Sequence, residues 1–259
     1  MHATFDAEYQ VALHAALKAG EVVEKYFHQT VAVRHKSKNQ PVTVADDEAN
    51  AIIHQLVFNS FPKDGWLSEE TKDNHLRLSC NRVWIVDPLD GTKEFINSIP
   101  EFAISIALVV KGRPVVGVVY NPITKEMFSA QVGKGAFLNQ LSIHVSSQSD
   151  LVQAKILASR SELARDEWKS FEGVFHIVPA GGMAYKMVLV ACGKCDGSFS
   201  LQPKSEWDIC AGHLIVEEAG GMVTQLDGSA FVYNQKNVRV MGIVHSNSLL
   251  HSQILKKIS

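Results

Sequence analysis

Apolar positions in the first 28 residues recur at helical spacing. Leu13, Leu17, Gly20, Val23 and Phe27 fall near one line of a 3.6-residue period, so an amphipathic helix is predicted over 6 to 28. A second helix is predicted over about 46 to 60, where "DDE" precedes the apolar positions Ile52, Ile53, Leu56 and Val57. Acidic residues in a first turn suit the positive end of the helix dipole. From Val83 to about Val145 the pattern turns to β. The runs "VWIVD", "FAISIALVV", "VVGVVY", "EMFSAQ" and "GAFLN" are separated by the turn clusters "KGRP", "NPIT" and "GKG", which predicts a meander of antiparallel hairpins. Beyond residue 150 strands and helices alternate. "AKILAS", "DGSFS", "GMVTQ" and "VRVMGIVHS" read as strands, and 161–170, 182–192, 208–219 and 246–257 as helices. The expected fold class is α/β, with an α+β N-terminal half (1–148) and an α/β C-terminal half (149–259) that share an interface. No internal repeat or low-complexity segment interrupts this order.

Composition narrows the function classes. The chain has 259 residues, 46% of them hydrophobic and 20% charged, enough apolar material for a large core. A net charge of -2 without any Lys/Arg-rich run gives no field for a nucleic-acid backbone. The apolar run "AISIALVV" falls well short of the roughly 20 residues of a spanning helix, and "MHATFDAEYQ" has no secretory pattern, so a soluble, cytoplasmic protein is expected. Cys192 and Cys195 form a C-x-x-C pair, followed by Cys210 and His213 in C-x-x-H spacing. The first pair closes the helical run "AYKMVLVA" and the second lies on another apolar helix, so buried thiols are expected rather than a zinc knuckle or a redox pair.

Carboxylates change the picture more. Three polar clusters stand at the edges of predicted elements: "GWLSEET" with Glu69 and Glu70, "WIVDPLDGT" with Asp87 and Asp90, and "SEWDICAG" with Asp208. Each has an ordinary structural reading, as a solvated loop, a strand followed by a turn, and a helix N-cap. Together they could supply the several carboxylate oxygens that a hard divalent cation requires. In "DPLDGT", Asp87, the Leu89 carbonyl and Asp90 could present oxygens to one small region. Gly91 and Thr92 would open a short helix whose free N–H groups suit an anion.

These segments, with the upstream "SEE" and the downstream "EWDICAG", resemble the inositol monophosphatase superfamily of magnesium-dependent, lithium-sensitive phosphomonoesterases, over almost the whole chain. The continuation "GTKEFI" and the segment "LQPKSEWDICAGHLIVEEAGG" are similar to its CysQ-type 3'(2'),5'-bisphosphate nucleotidases, with Lys93 and Glu94 carrying that distinction. The resemblance implies a layered αβαβα sandwich and two or three Mg2+ ions held by Glu69, Asp87, the Leu89 carbonyl, Asp90 and Asp208. It further implies that Asp46, Glu69 and Thr92 orient the attacking water. Substrate contacts would come from Glu69, Leu89, Asp90, Gly91, Thr92 and Asp208, with Ser159, Arg160 and Lys186 toward a second phosphate. Met183 stands where such proteins often carry serine. The implied partner is a small phosphate ester, adenosine 3',5'-bisphosphate first and an inositol monophosphate or a sugar bisphosphate as the alternative. A homodimer is compatible with the sequence.

Overall fold

The structure, a computed structural model, describes residues 4–29, 31–37 and 40–258. Its helices are α1 (Asp6–Tyr26), α2 (Val44–Ser60), α3 (Thr92–Ile96), α4 (Arg160–Leu163), α5 (Met183–Ala191), α6 (Glu206–Glu218) and α7 (His251–Ile258). The first strands, β1 (Arg34–Ser37) and β2 (Gln40–Val42), form a small antiparallel hairpin. The largest sheet has seven strands in chain order: β3 (Gly65–Ser68), β4 (Arg82–Asp90), β5 (Ala103–Val110), β6 (Arg113–Asn121), β7 (Glu126–Gln131), β8 (Ala136–Leu138) and β9 (Leu141–Ile143). From β4 onward neighbours are antiparallel, as the meander pattern predicts.

Alternation along the strands sorts the core into two faces. Trp84, Val86, Ile104, Ile106, Val116 and Val118 pack with Ala12, Ala16, Ala19, Val23, Ala49 and Ile53 of α1 and α2. Val83, Ile85, Ala107, Val109 and Val119 pack on the other side with Met187, Ile209, Cys210, Leu214 and Ile215 of α5 and α6. Helix α6 approaches the sheet at backbone distance: a Cβ on Gly117 would stand 2.7 Å from the Ala211 carbonyl oxygen. After β10 (Lys155–Ser159), β11 (His176–Ala180), β12 (Gly197–Ser200), β13 (Lys204–Ser205), β14 (Gly221–Thr224), β15 (Arg239–Val240) and β16 (Ile243–Asn247), a second sheet forms in the order β11-β10-β12-β16-β14. Its outer face carries α7 and an aromatic cluster of Trp168, Phe171, Phe175 and Phe199. The layers therefore run helices, sheet, helices, sheet, helices: the expected αβαβα sandwich.

Local departures have local causes. The edge strand β3 pairs parallel to β4, outside the predicted meander. The helix predicted over 161–170 is a single turn, because Asp166 adopts φ 60° and only a short 3-10 turn follows at Lys169–Phe171. "VRVMGIVHS" is two strands: Gly242 at φ 107° breaks it, and β15 pairs with β13 while β16 joins the second sheet. The last helix begins at His251 rather than 246, since β16 runs to Asn247. There the Asn247 Oδ1 accepts the Leu250 N–H at 2.9 Å. His213 spends both ring nitrogens on Tyr233 and Glu217, at 2.7 and 3.1 Å, and Cys210 is fully buried. No described helix is long and apolar enough to cross a membrane.

Candidate active site

The "DPLD" segment is not a turn after a strand; it is the end of β4 itself. Asp87 stands opposite Ser105 and Asp90 opposite Ala103, so β4 spends one residue more than β5 over this stretch. Pro88, which has no N–H for the ladder, sits in the resulting bulge. In an unbroken strand, side chains three apart point to opposite faces; the extra residue brings the two carboxylates back to one side. Asp87 accepts the Leu89 N–H at 3.0 Å, folding the bulge around its own side chain. Gly91 follows at φ 95°, with Phe102 Cβ and the Glu101 carbonyl only 3.0 and 3.1 Å from where a Cβ would stand. Only glycine fits there.

Helix α2 starts earlier than predicted because Thr43 caps it, its hydroxyl accepting from the Ala45 N–H at 3.2 Å. That cap also places Asp46. Its Oδ2 accepts both the N–H and the hydroxyl of Thr43 at 2.7 Å, and its Oδ1 stands 3.1 Å from the Thr92 hydroxyl. The Leu89 carbonyl is an equally distant acceptor for that hydroxyl, at 3.1 Å. Burial raises the Asp46 pKa, against the hydrogen bonds from Thr43 and Thr92. Asp208 is not the N-cap of α6 but its third residue, in a capping box with Ser205, whose N–H it accepts at 2.8 Å.

Glu69, Asp87 and Asp208 each bring a carboxylate oxygen within 4.8 Å of the others. Burial and then the neighbouring Glu69, Asp90 and Asp208 charges hold the Asp87 carboxyl well above the usual range. Asp208 is pushed up to about 7 by burial, Glu69 and Asp90. A crowded, partly desolvated oxygen set of this kind fits a hard divalent cation such as magnesium, whose charge removes the repulsion. Asp90 is arranged differently. Its two oxygens accept the Met183 and Ala184 N–H groups at 3.0 and 2.7 Å, at the first turn of α5, and burial nonetheless raises its pKa to about 6. It lies beside the three-carboxylate cluster rather than in it.

Glu69, Asp90, Gly91, Thr92, Ser159, Lys186 and Asp208 line one cleft of about 270 Å³, joined by Lys93, Glu94, Ser161 and Lys204. Leu89 and Arg160 are not in its wall. Arg160 is committed to Glu101 in a two-pronged ion pair, one contact at 2.9 Å, and Glu101 also accepts the Gly181 N–H at 2.7 Å. Lys36, not singled out in the sequence, reaches from the β1–β2 hairpin to Glu69 at 3.1 Å and Glu70 at 2.5 Å. Burial lifts Glu70 to about 7 against this ammonium. Strands of four and three residues leave no periodic signal by which Lys36 could have been found.

Lys186 is 2% exposed on α5 and lines the cleft, yet its ammonium makes no hydrogen bond or ion pair with any described residue. Burial, followed by the like charge of Lys204, lowers its pKa to about 8 against the attraction of Glu162, Asp90 and Glu94. It is a desolvated cation aimed at the cavity.

Residues 6–259 match the model of the inositol monophosphatase family. Inositol monophosphatase 2 of Solanum lycopersicum is 37% identical over 241 residues, covering 88% of this chain and 91% of its own. Among solved structures, the Thermotoga maritima IMPase superposes with a TM-score of 0.88 at 28% identity, over 97% of this chain and 96% of that one. CysQ from Bacteroides thetaiotaomicron, a bacterial member of the inositol monophosphatase family, gives 0.79 at 31% identity, over 94% and 98%. The match spans the β4 bulge, the capped start of α6 and both sheets, and the chain belongs to the inositol monophosphatase family of phosphatases.

Proposed function

We propose that this phosphatase removes the 3'-phosphate of adenosine 3',5'-bisphosphate, giving AMP and phosphate, in a magnesium-dependent reaction. The observation that carries the choice of substrate is Lys186. A buried ammonium that no described residue hydrogen-bonds or pairs directly, with Glu162, Asp90 and Glu94 acting on it only through space, is costly unless a ligand neutralises it, and a substrate bearing a second phosphate supplies that anion. An inositol monophosphate has a single phosphate, which belongs beside Gly91 and Thr92.

In this reading Glu69, Asp87, Asp208, Asp90 and the Leu89 carbonyl hold the magnesium ions, which when bound acidify a water and neutralise phosphoryl charge. The N–H groups at the start of α3 receive the scissile phosphate. The Thr92 hydroxyl gives its proton to Asp46 or to Leu89, so its oxygen lone pairs face the cleft and accept a proton of the attacking water. Asp46, fixed by Thr43, is the next acceptor in that line. Attack is in line, without a phosphoenzyme.

A second reading, hydrolysis of inositol monophosphate, is supported by the name of the tomato relative. Phosphate release should be measured with magnesium on adenosine 3',5'-bisphosphate, adenosine 3'-monophosphate, inositol 1-phosphate and fructose 1,6-bisphosphate. The bisphosphate nucleotide is expected to have the highest kcat/KM. Lys186→Met should raise its KM by about 30-fold, the loss of one desolvated charge pair of ~2 kcal/mol, and leave that of the 3'-monophosphate within about threefold. Faster turnover of inositol 1-phosphate, or an equal effect of Lys186→Met on both nucleotides, would reject the proposal.

A further inference from the structure

Glu94 lies on α3 two residues beyond Thr92 and lines the same cleft as Thr92 and Lys186. Its position is fixed from both sides. Next to it, Phe95 is 3% exposed and packs with its ring 5.4 Å from Phe102 and 5.9 Å from Phe27, which anchors the short helix. The stem of Glu94 crosses Gly181: a Cβ there would come within 2.2 Å of its Cγ and 2.5 Å of its Cδ. The carboxylate therefore occupies room that only a glycine leaves.

Thus held, the half-buried Glu94 carboxylate accepts its own backbone N–H, and no other described residue gives it a hydrogen bond or an ion pair. The positive charges that act on it are Arg160 and Lys186, of which Arg160 is spent on Glu101. A carboxylate offers about four acceptor sites, so the partly desolvated oxygens left over by that one backbone bond call for donors from the ligand or the solvent. A phosphate is the wrong partner, since like charges repel; a hydroxyl is the right one. A separation of two residues on a helix puts the Cα atoms of Thr92 and Glu94 about 5.4 Å from one another, and both side chains line the one cleft, so Glu94 is in reach of a group next to a phosphoester seated at Thr92.

We infer that Glu94 is a specificity-determining residue, accepting a hydrogen bond from a hydroxyl on the carbon adjacent to the one that carries the scissile phosphate. The inference rests on the phosphatase reading of this cleft, not on which phosphate ester is the natural substrate. It explains how one short segment holds the phosphate at Gly91 and Thr92 and reads its neighbour at Glu94.

The test compares kcat/KM for adenosine 3',5'-bisphosphate and its 2'-deoxy counterpart, with magnesium, in the wild type, Glu94→Ala and Glu94→Gln. A site built to bind a hydroxyl discriminates against the analogue lacking it, and the wild type should favour the ribonucleotide by about 30-fold. Glu94→Ala should bring the ratio within about threefold, mainly by loss on the ribonucleotide, and Glu94→Gln, whose amide oxygen still accepts, should keep part of it. A ratio unchanged in both variants overturns the inference, whatever happens to overall activity. If neither nucleotide is hydrolysed, the nucleotide reading fails alone. The same three proteins are then compared on glycerol 2-phosphate and isopropyl phosphate, which differ in their vicinal hydroxyls, and the same collapse or persistence of the ratio decides.

Discussion

Replacing Asp208 with asparagine should make the metal-free protein more stable while removing most of its response to magnesium. Asp208 has its carboxyl raised from 3.8 to about 7, chiefly by burial and then by Glu69 and Asp90. A raised carboxyl binds its proton more tightly in the folded state than in the unfolded one. Its contribution to stability is thus complete below pH ~4 and is lost as pH rises through ~7. About three pKa units at ~1.36 kcal/mol each give about 4 kcal/mol, and the solvent that reaches this cleft-lining, partly buried side chain reduces it to about 2 kcal/mol. Asparagine does not titrate and can still accept the Ser205 N–H through Oδ1. At pH 8 with chelator the variant should melt about 4 to 8 °C above the wild type, at about 2 to 4 °C per kcal/mol for a chain of this size. Near pH 4 the two should melt together. Magnesium at a hundred times its Kd should stabilise the wild type by about 2.7 kcal/mol and the variant far less. Equal melting at pH 8 without metal, or a gain that persists at pH 4, would refute the electrostatic account of the cluster.

Asp90→Asn should leave the fold largely intact, because the amide oxygen keeps one of the two α5 N–H bonds, and should abolish phosphate release; more than a few per cent of residual activity would remove Asp90 from the machinery. Gly117→Ala should destabilise the protein by about 1 to 3 kcal/mol in a denaturant titration, by driving a methyl group toward the Ala211 carbonyl; an unchanged midpoint would show that β6 and α6 can separate cheaply.

What the sequence made legible follows from how far each signal reaches along the chain. Helix α1 and strands β4 to β7 are long enough for their periodicity to show, and the first sheet with its outer helix follows from them. The β1–β2 hairpin, the parallel pairing of β3 and the single turn of α4 are too short or too dependent on distant partners. The same division runs through the site. Asp87, Asp90, Glu69 and Asp208 announce themselves by residue type next to apolar runs, whereas the bulge that aligns the first two depends on the register against Ser105 and Ala103. Arg160 shows the limit from the other direction: it stands at the end of β10 beside Ser159, which lines the cleft, but Glu101, 59 positions earlier, claims its guanidinium.

The two sheets meet chemically at Asp90. It belongs to β4 of the first sheet, and both its oxygens are held by the first turn of α5, the helix packed between the sheets. Gly182 permits this approach, since a Cβ there would stand 2.8 Å from Asp90 Oδ2. Glu101 repeats the arrangement two residues earlier by accepting the Gly181 N–H, with Arg160 clamped to its other side. The start of α5 is therefore pinned to the β4–β5 region at Gly181, Met183 and Ala184, and Lys186 follows one turn later, lining the cleft. Anything that shifts α5 along its axis moves the Asp90 partners, the seat of Glu94 and the buried ammonium together. The proposed substrate contacts of Lys186 and Glu94 and the placement of Asp90 accordingly depend on one helix terminus, and a substitution at Gly181 should disturb both at once.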